Sequence, residues 1–509
     1  MTEQILLRRG AYHDSVTLLR ITQAVADTPG VTAAQVAMAT ELNVELTRGL
    51  GFEVPDDAAP TDLLIAVRGN DEQAVQAGLA AVDVAIADAR TPATAGFGAA
   101  APPRTVRTAA AAAPDADLVL LSVPGPSVLG EALDALEAGR HVMVFSDNVP
   151  VEHEVILKQR AEEAGLLVMG PDCGTAIVAG VGLGFANVLV GSADPGSLRV
   201  GIVAASGTGA QQLSCLLDEA GAGVSHLLGV GGRDLSAQVG GRSAIQALAM
   251  LDADPDTGHI VVLSKPPDPT VADSIRARAA RAGTPVTTVL LGAGQPNLTE
   301  ATEAVLEAID VPVPDWPTWG RNHAAPDGNT GALRGLYAGG TLADEAMLVA
   351  GNTLGDLRSN IPLRPELALP DPVLGRPQLT GAGHAVVDLG DDAFTRGRPH
   401  PMIDPSLRLD LLAAQAADPD VRVLLLDVVL GHGAEADPAA RLAPAIRQAL
   451  RGAGRPLAVV VSLIGTLGDP QHRDRQAAQL AAAGAAVFVS NAAAARTAAA
   501  VAAGEGSAR

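Results

Sequence analysis

The stretch that decides the fold is VGIVAASGTGAQQL, residues 200–213. Its uninterrupted run of small aliphatic residues predicts a buried strand, Ser206, Gly207 and Thr208 predict a tight turn, and the following residues predict a helix. Continuous apolar strands between helices are typical of a parallel sheet covered on both faces. The turn itself is open to two interpretations. It is either a helix cap or a cradle whose free N–H groups and hydroxyls surround a phosphate.

The same alternation continues on both sides of this stretch and predicts an α/β multidomain fold. Residues 196–310 and 332–509 resemble two copies of one flavodoxin-like plan. The predicted boundaries are 1–95, a small α+β domain of the ferredoxin-like kind; 96–114, a mobile Ala/Pro-rich linker; 115–192, a Rossmann-like domain; 196–310, the first flavodoxin-like domain; 311–331, a Pro-rich connector; and 332–509, the second flavodoxin-like domain.

Composition restricts the ligands and the compartment. The chain has 57 acidic and 35 basic residues, a formal charge of −22, and only 2% aromatic residues. Nucleic acid and anionic membrane surfaces are therefore poor partners, and an anion needs local backbone N–H groups to hold it. Two cysteines exclude a disulfide framework, and neither a signal peptide nor an apolar run of about 20 residues is visible. We expect a cytoplasmic protein.

In parallel sheets, ligands bind beyond the carboxyl ends of the strands, so the loops there are the candidate sites. Gly431, His432 and Gly433 form a turn between a buried strand and a helix in VLLLDVVLGHGAEADPAARLAPAI, residues 423–446. The histidine is either an acid–base or anion-binding group or a solvated loop residue. In GVGGRDLSAQVGG (229–241), Arg233 either clamps an anion or braces the loop through an Arg–Asp pair.

A second polar stretch, VVDLGDDAFTRGRPHPMIDP (386–405), contains Arg396, Arg398 and His400 among several aspartates. Its spacing matches no metal motif, so we predict no metal site and favour a substrate carboxylate held by Arg396 or Arg398. LYAGGTLADEA (336–346) supplies another Gly-Gly-Thr turn into a helix. There is no Walker A sequence, no dinucleotide fingerprint after the strands of residues 115–192 and no G-x-S-x-G elbow.

Taken together, GPDCGTAI, GIVAASGTGA, GVGGRDLS, LYAGGTLADEA and DDAFTRGRPHPMIDP resemble the FdrA family, which is related to succinyl-CoA synthetase and other acyl-CoA synthetases. The resemblance covers essentially the whole chain. It implies that residues 115–192 form a CoA-binding-type domain and that residues 196–310 resemble the ligase domain of the α subunit. Residues 332–509 resemble the C-terminal ligase domain of the β subunit.

The resemblance also implies a shared phosphate site at two helix N-termini. Ser206, Gly207 and Thr208 would supply one of them, and the Gly431–Gly433 turn would supply the other. The GPDCG loop corresponds to a family segment beside the CoA-binding region. Asp172, Cys173, Gly174, Arg233 and Arg396 are accordingly predicted to bind substrate or CoA, and His432, His400 and Arg398 are the catalytic candidates. No base adjacent to Cys173 is visible in the sequence, so we interpret this cysteine as a pocket-shaping residue rather than a nucleophile.

Two departures from succinyl-CoA synthetase bear on function. The segment 281–300, where that enzyme carries its phosphohistidine, has no histidine, and a Pro-rich connector stands where an ATP-grasp domain would be expected. FdrA-type proteins are linked to oxamate carbamoyltransferase, which works with separate subunits in allantoin breakdown. The first hypothesis is therefore a subunit of a phosphate-dependent carbamoyl- or acyl-transferring enzyme. The alternatives are an acyl-CoA synthetase with a separate ATP-grasp partner and a non-catalytic CoA- or acyl-phosphate-binding scaffold. The sequence establishes no cofactor; CoA, phosphate and carbamoyl phosphate are the candidate ligands.

Overall fold

The computed structural model describes residues 2–11, 13, 15–89, 103–190, 198–320, 329–373, 376–395 and 399–505. These residues form two three-stranded and two six-stranded sheets, each packed against helices. The α/β fold class with several domains is confirmed. Within the described ranges, no helix is both long and apolar enough to cross a membrane.

The first unit is a three-stranded antiparallel sheet in the order β1-β3-β2 with helices packed on it. Its core is formed by apolar side chains such as Leu18, Ile65 and Val82, all of them buried. Its elements are β1 (Thr2–Arg8), α1 (Ser15–Ala26), β2 (Val31–Met38), α2 (Glu41–Gly49), β3 (Leu63–Gly69) and α3 (Glu72–Ala89).

The second unit has a short parallel sheet in the order β4-β5-β6. Its elements are α4 (Val106–Ala112), β4 (Leu118–Leu121), a 3-10 turn (Gly125–Ser127), α5 (Val128–Glu137), β5 (His141–Val144), α6 (Val151–Ala164) and β6 (Val168–Met169). The predicted linker 96–114 therefore contains a helix. Thr105 caps α4 in a capping box, which explains why this Ala-rich segment becomes helical.

The third unit is a six-stranded sheet. Its elements are β7 (Thr175–Val178), β8 (Val181–Gly184), β9 (Arg199–Ala205), α7 (Gly207–Glu219), β10 (Gly223–Gly229), α8 (Arg242–Ala253), β11 (His259–Ser264), α9 (Pro269–Ala279), β12 (Val286–Leu290) and α10 (Leu298–Ala308). The order is β12-β11-β9-β10-β7-β8, in which β9 to β12 are parallel. The β7–β8 hairpin lies within the range 115–192 that is predicted as Rossmann-like, and it pairs antiparallel with the free edge of β10.

The fourth unit repeats this plan. Its elements are β13 (Thr318–Trp319), β14 (Ala332–Tyr337), α11 (Gly340–Leu354), a 3-10 turn (Pro365–Leu367), β15 (Ala385–Asp388), α12 (Asp392–Thr395), α13 (Ser406–Ala417), β16 (Val421–Val429), α14 (Pro438–Gly452), β17 (Ala458–Ile464), α15 (Arg473–Ala482), β18 (Ala486–Phe488) and α16 (Asn491–Ala502). The order is β13-β18-β17-β16-β14-β15. In the part predicted as a Pro-rich connector, β13 pairs antiparallel with β18.

The parallel strands of both six-stranded sheets share the flavodoxin-like order, in which the first parallel strand lies between the second and the third. β9 is the first strand of one sheet and β14 of the other, so α7 and α11 are equivalent helices. A single apolar core joins the two units and includes Leu213 of α7, Leu342 of α11 and Ala498 of α16. This shared core fixes the positions of the two sheets relative to each other.

Candidate functional site

A solvent-open cleft with a cavity volume of about 190 Å³ lies where the third and fourth units meet. It is located beyond the carboxyl ends of β9, β11, β14 and β15, where sheets of this kind bind ligands. The cleft is lined by Asp172, Gly174, Thr175, Phe185, Ala205, Ser206, Gly207, Thr208, Gln211, Gly232, Lys265, Ala338, Gly339, Gly340, Thr341, Asp388, Gly390, His400 and Met402.

The N-termini of α7 and α11 pack against each other at this cleft. Ser206 is the N-cap of α7, and its Oγ donates to Thr341 Oγ1 at 2.7 Å while accepting from the Gly209 amide at 3.0 Å. Gly339 is the N-cap of α11, and a Cβ there would lie 2.5 Å from Thr208 Oγ1. Each N-cap therefore contacts the second residue of the opposite helix, which brings two positive dipole ends together.

Both helix ends leave donors free. Asp427 of β16 accepts from the amides of Ala338 and Gly339, which precede α11, at 2.8 and 2.9 Å. Among the described residues, none accepts from the amides of Gly207 and Thr208, the first two residues of α7, or from the corresponding amides of Gly340 and Thr341 in α11. The first amides of a helix lack partners within the helix. Both ends can therefore contribute donors to an anion cradle.

Lys265 adds a cation to this cradle, directly after β11. Among the described residues of the lining it is the one Lys or Arg. We did not predict it from the sequence, although a signal was available. Of the 35 basic residues only Lys158 and Lys265 are lysines, and Lys265 ends the apolar run HIVVLSK (259–265).

Two carboxyl groups also line the cleft. The side chain of Asp172 is exposed to the cleft, yet desolvation by the surrounding protein raises its pKa to about 7. The negative charges of Asp147 and Asp392 also raise this pKa, whereas the positive charges of Lys265 and Arg233 lower it. Asp388, at the end of β15, is only 7% exposed, and burial raises its pKa well above the ordinary value. In both residues the protein therefore favours the neutral carboxylic acid more than water does.

His400 also lines the cleft, and its Nδ1 accepts a hydrogen bond from the Met402 amide at 3.3 Å. A ring nitrogen that accepts has no proton, so the neutral imidazole carries its hydrogen on Nε2. Burial, helped by the Arg408 charge, lowers the pKa of His400 to about 4. At neutral pH His400 is thus an uncharged hydrogen-bond donor.

The Gly431–Gly433 turn is not part of the cleft lining, although a Cβ at Gly433 would lie 3.3 Å from the ring of Phe185, which is part of it. The amide of Gly431 donates to Gln471 Oε1 at 3.3 Å and that of His432 donates to the Ala186 carbonyl at 3.0 Å, so both are already bonded. The Gly431–Gly433 turn follows β16, the third parallel strand of its sheet. The turn that corresponds to Ser206 in this unit follows the first parallel strand, β14, and contains Gly339. His432 is exposed and lies outside the lining.

Arg233 is also absent from the lining, and its guanidinium is held by the second unit. Its Nε donates to Glu154 Oε2 at 3.0 Å and one of its terminal nitrogens donates to the Val149 carbonyl at 2.9 Å. Asp234 pairs instead with the buried Lys158 at 2.8 Å. Of our two interpretations, bracing of the loop describes these contacts, with Glu154 in place of the expected Asp234.

In the GPDCG loop, Asp172 and Gly174 line the cleft, whereas the Cys173 thiol packs beneath it. Its Sγ lies 3.5 Å from the Thr175 carbonyl, and burial raises its pKa to about 12. Such a thiol provides almost no thiolate near neutral pH. Arg396 and Arg398 lie outside the described residues.

Comparison with known proteins places the chain in a family. Residues 336–501 match the CoA-ligase family, and residues 1–102 match the "AllF, heavy metal-associated domain". Over 507 residues the chain is 37% identical to "Uncharacterized protein YahF" of Escherichia coli (strain K12), covering 95% of each protein. The chain belongs to the YahF family of CoA-ligase-type proteins. Both cysteines of this family member lie outside the residues that match the heavy metal-associated domain.

Two further curated relatives match only a part of the chain. Over 153 residues, 30% of the chain, it is 31% identical to subunit alpha 2 of the ADP-forming succinate–CoA ligase of Archaeoglobus fulgidus. Over 152 residues it is 28% identical to SqwL, an ADP-forming sulfoacetate-CoA ligase subunit of an Acholeplasma species. These alignments cover 50% and 49% of the two subunits.

Among solved structures, one match is "Ca. Korarchaeum cryptofilum dinucleotide forming Acetyl-coenzyme A synthetase 1 in complex with phosphate and ADP". It covers 81% of this chain and 87% of that protein, at 18% identity and a TM-score of 0.30.

Proposed function

We propose that this chain is an FdrA-type protein and the phosphate-binding subunit of a carbamoyl- or acyl-transferring enzyme of the oxamate carbamoyltransferase kind, in allantoin or purine catabolism. The observation that carries the proposal is the juxtaposition of the free Gly207 and Thr208 amides with Lys265 in one cleft. Many phosphate-binding sites combine the N–H groups of a helix N-terminus with a nearby cationic side chain.

In the proposed reaction, oxalurate and phosphate give oxamate and carbamoyl phosphate. A phosphate oxygen forms a bond to the ureido carbon, the bond from that carbon to the amide nitrogen breaks, and the departing oxamate nitrogen takes a proton. The α7 amides and Lys265 hold the phosphate, and the His400 Nε2–H donates to the developing oxyanion. Because His400 is uncharged near neutral pH, its proposed role is that of a hydrogen-bond donor.

An acyl-CoA synthetase with a separate ATP-grasp partner is the second candidate, supported by the CoA-ligase family match. The segment 281–300 has no histidine to carry a phosphoryl group, which favours direct phosphate chemistry. A scaffold that binds CoA or an acyl phosphate without catalysis is the third candidate. In each case we infer that other protein subunits complete the assembly.

The test is carbamoyl phosphate formation from oxalurate and phosphate, assayed with candidate partner subunits. Lys265→Met should lose at least about tenfold in phosphate-dependent turnover, since a charge-assisted bond is lost. The Ser206→Ala/Thr208→Ala double variant should show a similar loss, because it removes the N-cap of α7 and its hydrogen bond to Thr341, which hold the α7 amides in position. His432→Ala, outside the cleft, should keep its activity. A requirement for CoA and ATP would support the ligase instead, and full activity of the double variant would support the scaffold.

A further inference from the structure

Asp172 lines the cleft, and the backbone of the GPDCG loop fixes its position. The Asp172 amide donates to the Ser146 carbonyl and the Cys173 amide donates to the Val144 carbonyl, both at 3.0 Å. The φ angle of Asp172 is +56°, in a left-handed region that Asn and Asp occupy more readily than other non-glycine residues. Two strand ends therefore hold this side chain at the cleft.

Contacts between loops place Asp172 on the same side of the cleft as Lys265. A Cβ at Gly231 would lie 2.7 Å from the Pro171 carbonyl oxygen, and a Cβ at Gly232 would lie 3.7 Å from Lys265 Nζ. The loop after β10 thus touches the residue before Asp172 at one position and the Lys265 ammonium at the next. A phosphate bound to Lys265 is therefore close to the Asp172 carboxyl group.

The other titratable groups of the described lining have different tasks. Lys265 is the cation of the phosphate cradle, and His400 is uncharged near neutral pH. Asp388 accepts from the Gly390 amide and is only 7% exposed. Asp172 is the one exposed carboxyl group of that lining, and none of the described residues donates a hydrogen bond to it. A substrate in the cleft can reach this carboxyl group.

Four charged groups face Asp172 from four different elements. The negative charges of Asp147, after β5, and of Asp392, in α12, raise its pKa, as desolvation does more strongly. The positive charges of Lys265, after β11, and of Arg233, after β10, lower it. The resulting pKa is about 7, so both the acid and the carboxylate are present at neutral pH. Such a group can give a proton and take one back within a cycle.

We propose that Asp172 is the general acid that protonates the leaving nitrogen in the transfer reaction. This inference rests on the proposed function and adds the proton transfer that the reaction requires. As a phosphate oxygen bonds to the ureido carbon and the C–N bond breaks, the carboxyl proton of Asp172 moves to the oxamate nitrogen. The phosphate hydroxyl loses its proton when the new C–O bond forms, and that proton restores the acid form of Asp172. The step balances without another reactant.

The test is the pH dependence of carbamoyl phosphate formation from oxalurate at saturating phosphate, by the full chain with its partner subunits. The wild-type kcat should fall as the pH rises through about 7, because the acid form of Asp172 is lost. Asp172→Asn keeps the side-chain shape and should lose about 100-fold or more in kcat, together with this fall. Its calorimetric affinity for inorganic phosphate should change little, because Lys265 and the α7 amides remain.

Asp147→Asn is the matched variant outside the lining. It removes a negative charge that raises the pKa of Asp172, so the fall in kcat should move to lower pH while the maximal rate is kept. This shift tests the inference even if Asp172→Asn does not fold.

A wild-type kcat and pH profile in folded Asp172→Asn would overturn the role of Asp172 and leave the phosphate cleft standing. An unchanged profile in Asp147→Asn would also count against Asp172 as the titrating acid. If the wild type forms no carbamoyl phosphate from oxalurate with any partner, the proposed function fails and the inference fails with it.

Discussion

At the scale of single residues, the chemistry of the cleft depends on which polar groups are already bonded inside the protein. Asp427 occupies the two amides that precede α11, whereas the first two amides of α7 and of α11 have no acceptor among the described residues. His400 has one nitrogen occupied and one available. The free groups are therefore those that a ligand can use.

We expect His400 to stay neutral in the folded protein across the physiological range. An imidazole in an unfolded chain titrates near pH 6.5, whereas burial lowers the pKa of His400 to about 4. In spectra of the ¹⁵N-histidine-labelled protein, the His400 resonances are identified by their absence from the spectrum of His400→Asn. These resonances should have the chemical shifts of the neutral Nε2–H tautomer from pH 8 down to about pH 5. A doubly protonated ring at pH 6 would contradict this.

The sequence predicted the Ser206 turn because its signal is local: an apolar strand, small polar residues and a helix in succession. The same reasoning selected the Gly431–Gly433 turn, but it could not show that the amides of Gly431 and His432 are bonded to Gln471 and Ala186, which are distant in the chain. Lys265 looked ordinary for the same reason. Lys265 matters because it lines the same cleft as the N-terminus of α7, which the sequence does not show. The one signal in the sequence is that lysine is rare in this chain.

At the scale of elements, the cleft depends on close contact between two helix N-termini. Gly339→Ala would place a methyl group 2.5 to 2.8 Å from three atoms of Thr208. We expect this overpacking to cost about 1–3 kcal/mol in free energy of unfolding and to weaken phosphate binding. The measurements are urea denaturation and calorimetric titration.

Gly351→Ala, in the same helix, is the matched control. Its Cβ would have only an ordinary contact, 3.9 Å from Leu357, so alanine should be neutral or stabilising by up to about 1 kcal/mol. Equal effects of the two substitutions would argue against the tight contact between the helices.

A second element-scale feature is the ion cluster that joins α6 to the loop after β10. Lys158 Nζ donates to Glu154 at 2.7 Å and to Asp234 and the Val230 carbonyl at 2.8 Å, in a fully buried position. Lys158→Met leaves the buried Asp234 without its cation and leaves Glu154 with Arg233 alone. We expect a loss of about 3–5 kcal/mol in unfolding free energy.

Arg160→Met, also in α6, is the control for that loss. Arg160 is exposed and makes one ion pair at 3.4 Å, so the change should stay within about 0.5 kcal/mol. A loss of less than 1 kcal/mol in Lys158→Met, measured by urea denaturation, would show that the cluster contributes little.

The elements themselves were largely predictable, since apolar runs and caps are local features. The β7–β8 hairpin was not predictable from the sequence, because its partner, β10, is about fifty residues later and accepts it at an open edge. Capping by Thr105 likewise converts part of the predicted linker into α4. Pairing and capping partners, rather than periodicity, decided both cases.

At the scale of the whole molecule, the third and fourth units behave as one body because they share a core and a buried polar network. Asn491 of α16 donates to the Leu342 carbonyl and to Glu345, and it accepts from Tyr337. Glu345 also accepts from the Leu298 amide of the third unit at 2.6 Å. Asn491 is completely buried.

Asn491→Leu should therefore destabilise both units, by on the order of 3 kcal/mol, because several buried polar groups lose their partners. In hydrogen exchange, α7 and α10 should lose protection together with α11 and α16. The exposed Arg496, on the same helix, provides the control Arg496→Ala, which should leave protection unchanged. Loss of protection restricted to the fourth unit would mean that the two units unfold independently.

The central claim, that phosphate binds between the N-terminus of α7 and Lys265, is tested most directly by a crystal structure of the protein with inorganic phosphate. We expect tetrahedral density within hydrogen-bond distance of the Gly207 and Thr208 amides and of Lys265 Nζ. Phosphate bound at the Gly431–Gly433 turn, with the cleft empty at saturating concentration, would contradict the claim.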